Sequence, residues 1–406
     1  MRGRLVVILA LLAAGSLALH GDHEGVAQAA VMIAGLLALS VASDLGDALG
    51  RRPLERVQRL VAAGDDEAAG VALDEALARR PDDVALLALR GQRRLARGDA
   101  PGALDDARRL LARSPLHQGG LDLLVGATLR ERDPAARAHA LRELERRLSL
   151  TLDALGDSPA LLRARSTTRV AIGEAWGALA DADRAAALGA RDDRVVVGRA
   201  WARAATGDVT GALALVDSLV AGAEEDARGE HRLVRAYLRL LAGDLGGATS
   251  DLTDLLRYAP EAAEALRCRG QVRAIEGDAD GAAADLEAAL AKEDLPATRL
   301  WLGLLGRREA LEPLAADGPR WEAALARALL ADDPAALTPT LADVAPTDAE
   351  RRACQRAVHA ARALAAERAG DADGARGAWG EVLALAPALD ALVTWARRRS
   401  AEDAPA

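Results

Sequence analysis

Residues 84–117 read VALLALRGQRRLARGDAPGALDDARRLLARSPLH and predict two helices joined by a glycine. The first part has apolar residues at helical spacing, and Gly98 then supplies the left-handed conformation that commonly ends a helix. Asp99 can cap a second helix, and Pro115 marks the exit of that helix. Neither helix has enough apolar surface to be stable alone, so such a hairpin must pack against others.

This unit recurs along the chain at a fixed period. A glycine followed four residues later by Gly-Ala or Ala-Ala occurs at Gly64, Gly98, Gly173, Gly207, Gly243, Gly277 and Gly370, and three of the gaps are 34 residues. The small residues allow two helices to approach closely, and the glycine makes the turn between them. The recurrence therefore predicts an all-α solenoid, an elongated curved stack in which each hairpin contacts its neighbours.

Two copies of the unit share an Arg-Gly pair in the first helix, a turn glycine, and small and acidic residues in the second helix. The residues are Arg90, Gly91, Gly98, Ala103, Asp106 and Pro115 in one copy, and Arg269, Gly270, Gly277, Ala282 and Asp285 in the other. This pattern resembles the tetratricopeptide repeat, in its common bacterial subtype, over roughly residues 50–390. The resemblance implies a right-handed superhelix of helical hairpins whose first helices line a concave groove that holds peptides or proteins.

A second periodic pattern joins the two helices of a hairpin. An arginine in the first helix precedes an aspartate in the second by 16 residues at Arg90/Asp106, Arg165/Asp181, Arg235/Asp251 and Arg269/Asp285. We expect the members of each pair to meet. An intact buried ion pair adds little stability, whereas removing one partner is costly, so we interpret these pairs as fixing the register of the helices.

The period also divides the chain into segments. Gly98 and Gly173 are 75 residues apart, two periods and seven residues, which predicts an insertion between them. We expect a membrane hairpin or signal anchor over 1–49, two repeats over 50–117, an irregular repeat with a long second helix over 118–158, four regular repeats over 159–295, degenerate helical hairpins over 296–346, a terminal repeat and capping helix over 347–400, and a disordered tail over 401–406.

The N-terminal residues differ in kind from the repeats. Two uncharged or nearly uncharged apolar runs, 5–19 and 26–43, predict two short transmembrane helices, and an acidic loop separates them. Arginines stand before the first run and after the second, so the positive-inside rule places the repeats in the cytoplasm, at the inner membrane. The alternative is a cleaved signal peptide, which exports the repeats to the periplasm if the second run does not insert.

The composition excludes several classes of function. A net charge of -9 argues against binding of nucleic acid, which needs a basic surface. The sequence has no Gly-x-Gly motif, its one lysine, Lys292, is followed by glutamate, and neither Cys268 nor Cys354 has a C-x-x-C partner. We therefore predict no catalytic residues, no cofactor and no bound metal.

The resemblance also implies which residues face a partner. The fifth and ninth positions of the first helices commonly face the groove, and they include Arg163, Thr167, Trp201, Tyr237, Arg267 and Gln271. Trp201 and Tyr237 fall on equivalent positions of adjacent hairpins and can form an apolar peptide shelf between Arg163 and Arg267. The alternative is that both rings fill gaps between alanine-rich helices.

The sequence as a whole predicts a non-enzymatic adaptor or scaffold. Its partner is a protein or peptide in the groove, and its anchor is the lipid bilayer, through residues 5–19 and 26–43. Two alternatives remain open at this point: an exported repeat protein in envelope assembly, and a regulatory subunit of an enzyme or secretion complex.

Overall fold

The computed structural model describes residues 53–63, 65–131, 133–189, 192–222, 228–317, 321–333, 348–385 and 390–402. Within these ranges the regular elements are helices, and no strand occurs. The apolar runs 5–19 and 26–43, predicted to span a membrane, lie outside the described residues. None of the described helices is both long enough and apolar enough to cross a bilayer.

Up to Lys292, consecutive helices of the described residues pair as hairpins. The first and second helices of these pairs are 53–62 (α1) and Asp66–Arg79 (α2), Val84–Ala96 (α3) and Ala100–Arg113 (α4), Gln118–Leu129 (α5) and Pro134–Leu155 (α6), Pro159–Ile172 (α7) and Ala175–Ala187 (α8), Asp193–Ala205 (α9) and Val209–Gly222 (α10), Arg228–Ala242 (α11) and Leu245–Tyr258 (α12), and Ala263–Glu276 (α13) and Ala279–Lys292 (α14). The long second helix of the irregular unit is α6, with 22 residues.

The predicted glycine turns lie between the two helices of a hairpin. Positive φ angles from 73° to 94° occur at Gly98, Gly173, Gly207, Gly243, Gly277 and Gly370, while Gly64 lies outside the described residues. After the first of these turns, the Asp99 carboxylate accepts a hydrogen bond of 2.9 Å from the Gly102 amide and so caps α4. The turn chemistry predicted from residues 84–117 is therefore confirmed.

Close approach of the helices is visible at Gly270 on α13. A Cβ atom built at this position would lie 2.7 Å from Leu286 Cγ and 3.1 Å from the Ala282 carbonyl oxygen, both on α14. Such distances leave no room for a side chain. The glycine of the Arg-Gly pair is therefore required by helix packing, as the sequence predicted.

The period is lost after Lys292, where the helices become short. The following elements are Pro296–Leu304 (α15), a 3₁₀ turn at Arg308–Ala310, Leu311–Ala315 (α16), Trp321–Leu330 (α17), the hairpin of Asp348–Ala369 (α18) and Ala372–Ala384 (α19), and Ala391–Glu402 (α20). Ala401 and Glu402, which the sequence assigned to a disordered tail, belong to the last turn of α20.

The C-terminal elements fold back over the stack, and this corrects the expectation that each hairpin contacts only its neighbours. Buried apolar residues from Ala236 to Ala396 form one continuous core that includes every helix from α11 to α20. Arg137 of α6 pairs with Glu350 of α18, and α18 also contacts α7. The physical reason is that the short elements after Lys292 cannot bury their apolar side chains by stacking alone, so they pack into the curve of the preceding hairpins.

Candidate functional site

The structure brings each of the four predicted Arg–Asp pairs together. Arg90 donates to Asp106 from Nε at 3.0 Å and from Nη2 at 2.6 Å, and Asp106 is fully buried. The pairs Arg165/Asp181, Arg235/Asp251 and Arg269/Asp285 repeat this bidentate geometry at 2.5 to 2.9 Å. The hydrogen bonds to Asp106 raise the pKa of Arg90 above its usual value.

The aspartates of these pairs are buried, in keeping with the structural role that the sequence analysis gave them. Asp181 is buried at 4% exposure, and Asp251 is buried at 3% exposure. Asp285 is buried to a similar extent, and Asp106 completely. The physical reason is that each carboxylate lies on the face of the second helix that packs against the first helix. These aspartates therefore cannot contact a partner, and their role lies within the hairpin.

A second arginine in each of these units was missed by the sequence analysis. Arg94, Arg169, Arg239 and Arg273 follow the first arginine by four residues, and each donates to the same aspartate at 2.8 or 2.9 Å. The spacing of four places both arginines on one face of the first helix, so an Arg-x-x-x-Arg pattern could have revealed them. Each aspartate therefore accepts three hydrogen bonds from two guanidinium groups.

These networks also reach the preceding hairpin. Arg90 Nη1 donates to Asp74 of α2 at 2.9 Å, and Arg235 Nη1 donates to Asp217 of α10 at 3.2 Å. The charged residues of the predicted pairs are thus fully engaged in holding helices together.

Trp201, Tyr237 and Arg267 form a continuous row across the first helices α9, α11 and α13, which we call the aromatic shelf. The ring centroids of Trp201 and Tyr237 are 6.2 Å apart at an interplanar angle of 65°, an edge-to-face contact. The Arg267 guanidinium lies 5.3 Å from the centroid of the Tyr237 ring, within cation–π distance. Both rings are half-buried, and burial raises the pKa of Tyr237, so its hydroxyl is neutral at physiological pH.

Most of the other predicted groove residues are paired or buried within the chain, so they are less able to contact a partner than the sequence suggested. Arg163 is paired with Asp122 at 2.6 Å, and Arg267 is paired with Glu264 three residues earlier. Gln271 is only 4% exposed, so it does not face an open groove. Thr167 is exposed, and its hydroxyl donates to the Arg163 carbonyl oxygen at 3.1 Å. The arginines beside the shelf are therefore neutralised within the chain, which the sequence analysis did not foresee.

A cavity of about 950 Å³ adjoins the shelf, and Arg267 is part of its wall. One side is formed by the α3–α4 turn and the end of α5, from Ala96 to Gly98 and at Leu129 and Arg130. The opposite side is formed by residues 292–297 and parts of α15 to α17. The volume is at the upper end of the range for ligand pockets, about 300 to 1,000 Å³. It exists only because the C-terminal elements return towards the first hairpins.

The C-terminal helix α20 packs against the first helices α11 and α13. The Thr394 hydroxyl donates to the Leu240 carbonyl oxygen at 2.9 Å, and Arg397 Nη1 donates to the Leu241 carbonyl oxygen at 3.3 Å. Trp395 is buried and stacks on Trp301 of α15, with centroids 5.4 Å apart and rings nearly parallel at 9°. The predicted capping helix thus contacts α19 on one side and the first helices α11 and α13 on the other.

Two groups that could carry chemistry are inert in this structure. Cys268 and Cys354 are free thiols and fully buried, and burial raises the pKa of each to about 12. Both thiols are therefore protonated at physiological pH. Among the described residues, no group of three or more His, Cys, Asp or Glu side chains could hold a metal ion.

No family model matches the sequence, and the comparison with curated proteins gives no match either. Three solved structures illustrate what the fold is similar to. A tetratricopeptide repeat protein of Parabacteroides merdae has 17% identity and a TM-score of 0.43, covering 63% of this chain and 98% of its own. A thermophilic tetratricopeptide repeat protein of Thermus thermophilus has 24% identity and a TM-score of 0.40, covering 47% and 98%. The APC/C hetero-tetramer Cut9–Hcn1 has 14% identity and a TM-score of 0.42, covering 93% and 86%.

The repeated unit is evident in the geometry of the chain itself. Six of the described hairpins have a left-handed glycine between their helices, and at Gly270 the two helices of a hairpin leave no room for a side chain. In four units a buried aspartate of the second helix binds an arginine of the first. The described part of the chain is therefore an all-α array of repeated helical hairpins.

Proposed function

We propose that the protein is a non-enzymatic scaffold that holds another protein against its concave face. The observation that supports this most directly is the aromatic shelf, since half-buried Trp and Tyr rings are typical anchors of protein interfaces. Only 2% of the residues are aromatic, yet two of them lie in contact on adjacent first helices. Because Arg163 and Arg267 are already paired, recognition depends on the ring faces, and the partner contributes apolar side chains.

Replacing Trp201 and Tyr237 together by alanine is expected to weaken partner binding at least thirtyfold, since a single interface anchor already contributes about 2 kcal/mol. The partner is captured by crosslinking in membranes and identified by mass spectrometry. The dissociation constant for that purified partner is then measured with the wild-type protein and with the double variant. The thermal melting curve of the double variant is expected to match that of the wild type.

The matched control is Trp176→Ala on α8. Trp176 is 74% exposed and lies on a second helix, away from the shelf. Its replacement is expected to leave partner binding unchanged. If the shelf variant binds its partner as well as the wild type but melts at a lower temperature, the rings fill gaps between helices and the proposal is wrong.

We further propose that residues 5–19 and 26–43 anchor the scaffold in the inner membrane, with the repeats in the cytoplasm. The support is the arrangement of the two apolar runs between arginine-rich flanks. A reporter enzyme that is active only in the cytoplasm, fused after Ala406, is expected to be active. Activity of a periplasmic reporter at the same position would instead show that the repeats are exported.

A further inference from the structure

Arg137, in the first turn of α6, connects two parts of the chain that lie far apart in sequence. Its Nη2 atom donates to the Glu350 carboxylate on α18, 213 residues further along. Its Nη1 atom donates to the Glu131 carbonyl oxygen, between α5 and α6, at 3.0 Å. The side chains of Arg137 and Glu350 are only 15% and 14% exposed, so the ion pair is largely shielded from water. One guanidinium group therefore holds the end of α5 and the start of α18 together.

The two segments that Arg137 connects adjoin opposite walls of the cavity. Leu129 and Arg130 form part of one wall, and Glu131 follows them directly. Glu322 of α17 belongs to the opposite wall, and α17 contacts α18. Buried side chains of α17 and α18 also belong to one apolar core, so these two helices move together. A displacement of α18 away from α6 therefore moves the two walls of the cavity apart.

The contact between α6 and α18 is polar, whereas apolar packing holds the elements on each side of it. Buried apolar residues of α5, α6 and α7 form one cluster, and those of α18 belong to the core that extends from Ala236 to Ala396. α18 also contacts α7, yet no buried apolar cluster of the described residues includes both α18 and either α6 or α7. Apolar burial thus stabilises each part separately and contributes little to holding the two parts together.

The energetics of a shielded ion pair favour two discrete arrangements. In the closed arrangement, the attraction between the charges is largely offset by the loss of their hydration. When the pair separates, both charges regain water, so the open arrangement is close to the closed one in free energy. Removing one partner leaves the other charge shielded and without a counter-charge, which strongly destabilises the closed arrangement. Closure therefore depends on the presence of both charges.

We propose that Arg137 and Glu350 form a latch that sets the width of the cavity. The cavity is narrow while the ion pair is closed, as in this structure, and wide when the pair separates. Opening leaves the hairpins and the C-terminal core folded and changes only the contact between them. The proposal goes beyond the scaffold function, because the latch acts in the protein without a partner.

The test measures the separation of the cavity walls in the full chain by double electron–electron resonance. Spin labels are attached to cysteines introduced by Arg130→Cys and Ala316→Cys, since both positions are exposed and lie on opposite walls. Cys268 and Cys354 are buried and protonated, so the labels do not react with them. The labelled protein is expected to show mainly one short distance. Adding Glu350→Gln is expected to raise the ratio of a longer distance to the short one at least tenfold.

The matched control is Arg146→Gln in the same helix as Arg137. Arg146 is 60% exposed and pairs with Glu143 within α6. Exposed pairs of this kind contribute little, so we expect the distance distribution of the labelled protein to stay unchanged. A longer distance in this control as well would show that any loss of charge on α6 moves the walls, and it would overturn the latch.

Exchanging the two charges, by Arg137→Glu together with Glu350→Arg, is expected to restore the short distance in most molecules. The proposal is overturned if the Glu350→Gln chain keeps the wild-type distance distribution. If that chain loses helical circular dichroism signal, the exchanged pair decides, and a long distance there overturns the proposal. Partner binding at the aromatic shelf is measured separately, so the latch and the scaffold role fail independently.

Discussion

Replacing Asp106 by alanine is expected to lower the free energy of unfolding by about 3 kcal/mol, because two guanidinium groups lose their shared acceptor. Asp106 is fully buried and accepts hydrogen bonds from Arg90 and Arg94 at 2.6 to 3.0 Å. The side chains of Arg90 and Arg94 are 15% and 31% exposed, so both can partly reach water. The cost therefore lies at the lower end of the range for a broken buried ion pair. Urea denaturation followed by circular dichroism measures it.

Asp82→Ala provides the comparison, since Asp82 forms an exposed ion pair with Arg113 at the helix surface. Exposed pairs of this kind contribute little to stability, so we expect the denaturation midpoint to stay unchanged. Equal midpoints for the Asp82 and Asp106 variants would show that the buried aspartates are not required to hold the hairpins together.

Replacing Trp379 by alanine is expected to cost about 3 to 5 kcal/mol, because a large buried side chain leaves a cavity that the core cannot fill. Trp379 is 1% exposed, its ring centroid lies 5.6 Å from that of Trp395, and its Nε1 atom donates to Glu367 at 2.8 Å. We expect the damage to be local, since stability in repeat proteins is a sum over neighbouring units. Hydrogen exchange should therefore accelerate in α15 to α20 and stay unchanged in α3 and α4.

The exposed Trp176 again gives the control, and its replacement by alanine should leave exchange unchanged throughout the chain. Uniform acceleration in every hairpin of the Trp379 variant would contradict the local response. It would mean that the returning C-terminal elements couple the whole molecule into one cooperative unit, and that the chain does not behave as a linear array.

Part of the candidate site could be predicted because its residues recur at equivalent positions of the repeated unit. Trp201 and Tyr237 hold equivalent positions in adjacent units, so their contact follows from the period alone. The pairing of Arg163 with Asp122 could not be predicted in this way, because Asp122 lies in the irregular unit. There the repeat period does not indicate which residues of neighbouring helices lie opposite each other. Burial of Gln271 was also missed, since the family pattern assigns its position to the groove without reference to what packs around it.

The sequence by itself determined the hairpins, their glycine turns and their Arg–Asp pairs. Each of these features joins residues within one repeat, at most 16 positions apart in the case of the turns and pairs, so the same local physics recurs and the pattern can be counted. Only the tertiary structure decided where the C-terminal helix packs and that a cavity forms beside the shelf. The contact between Thr394 and Leu240 joins residues 154 positions apart, and it depends on the accumulated curvature of the hairpins between them, which no single repeat specifies.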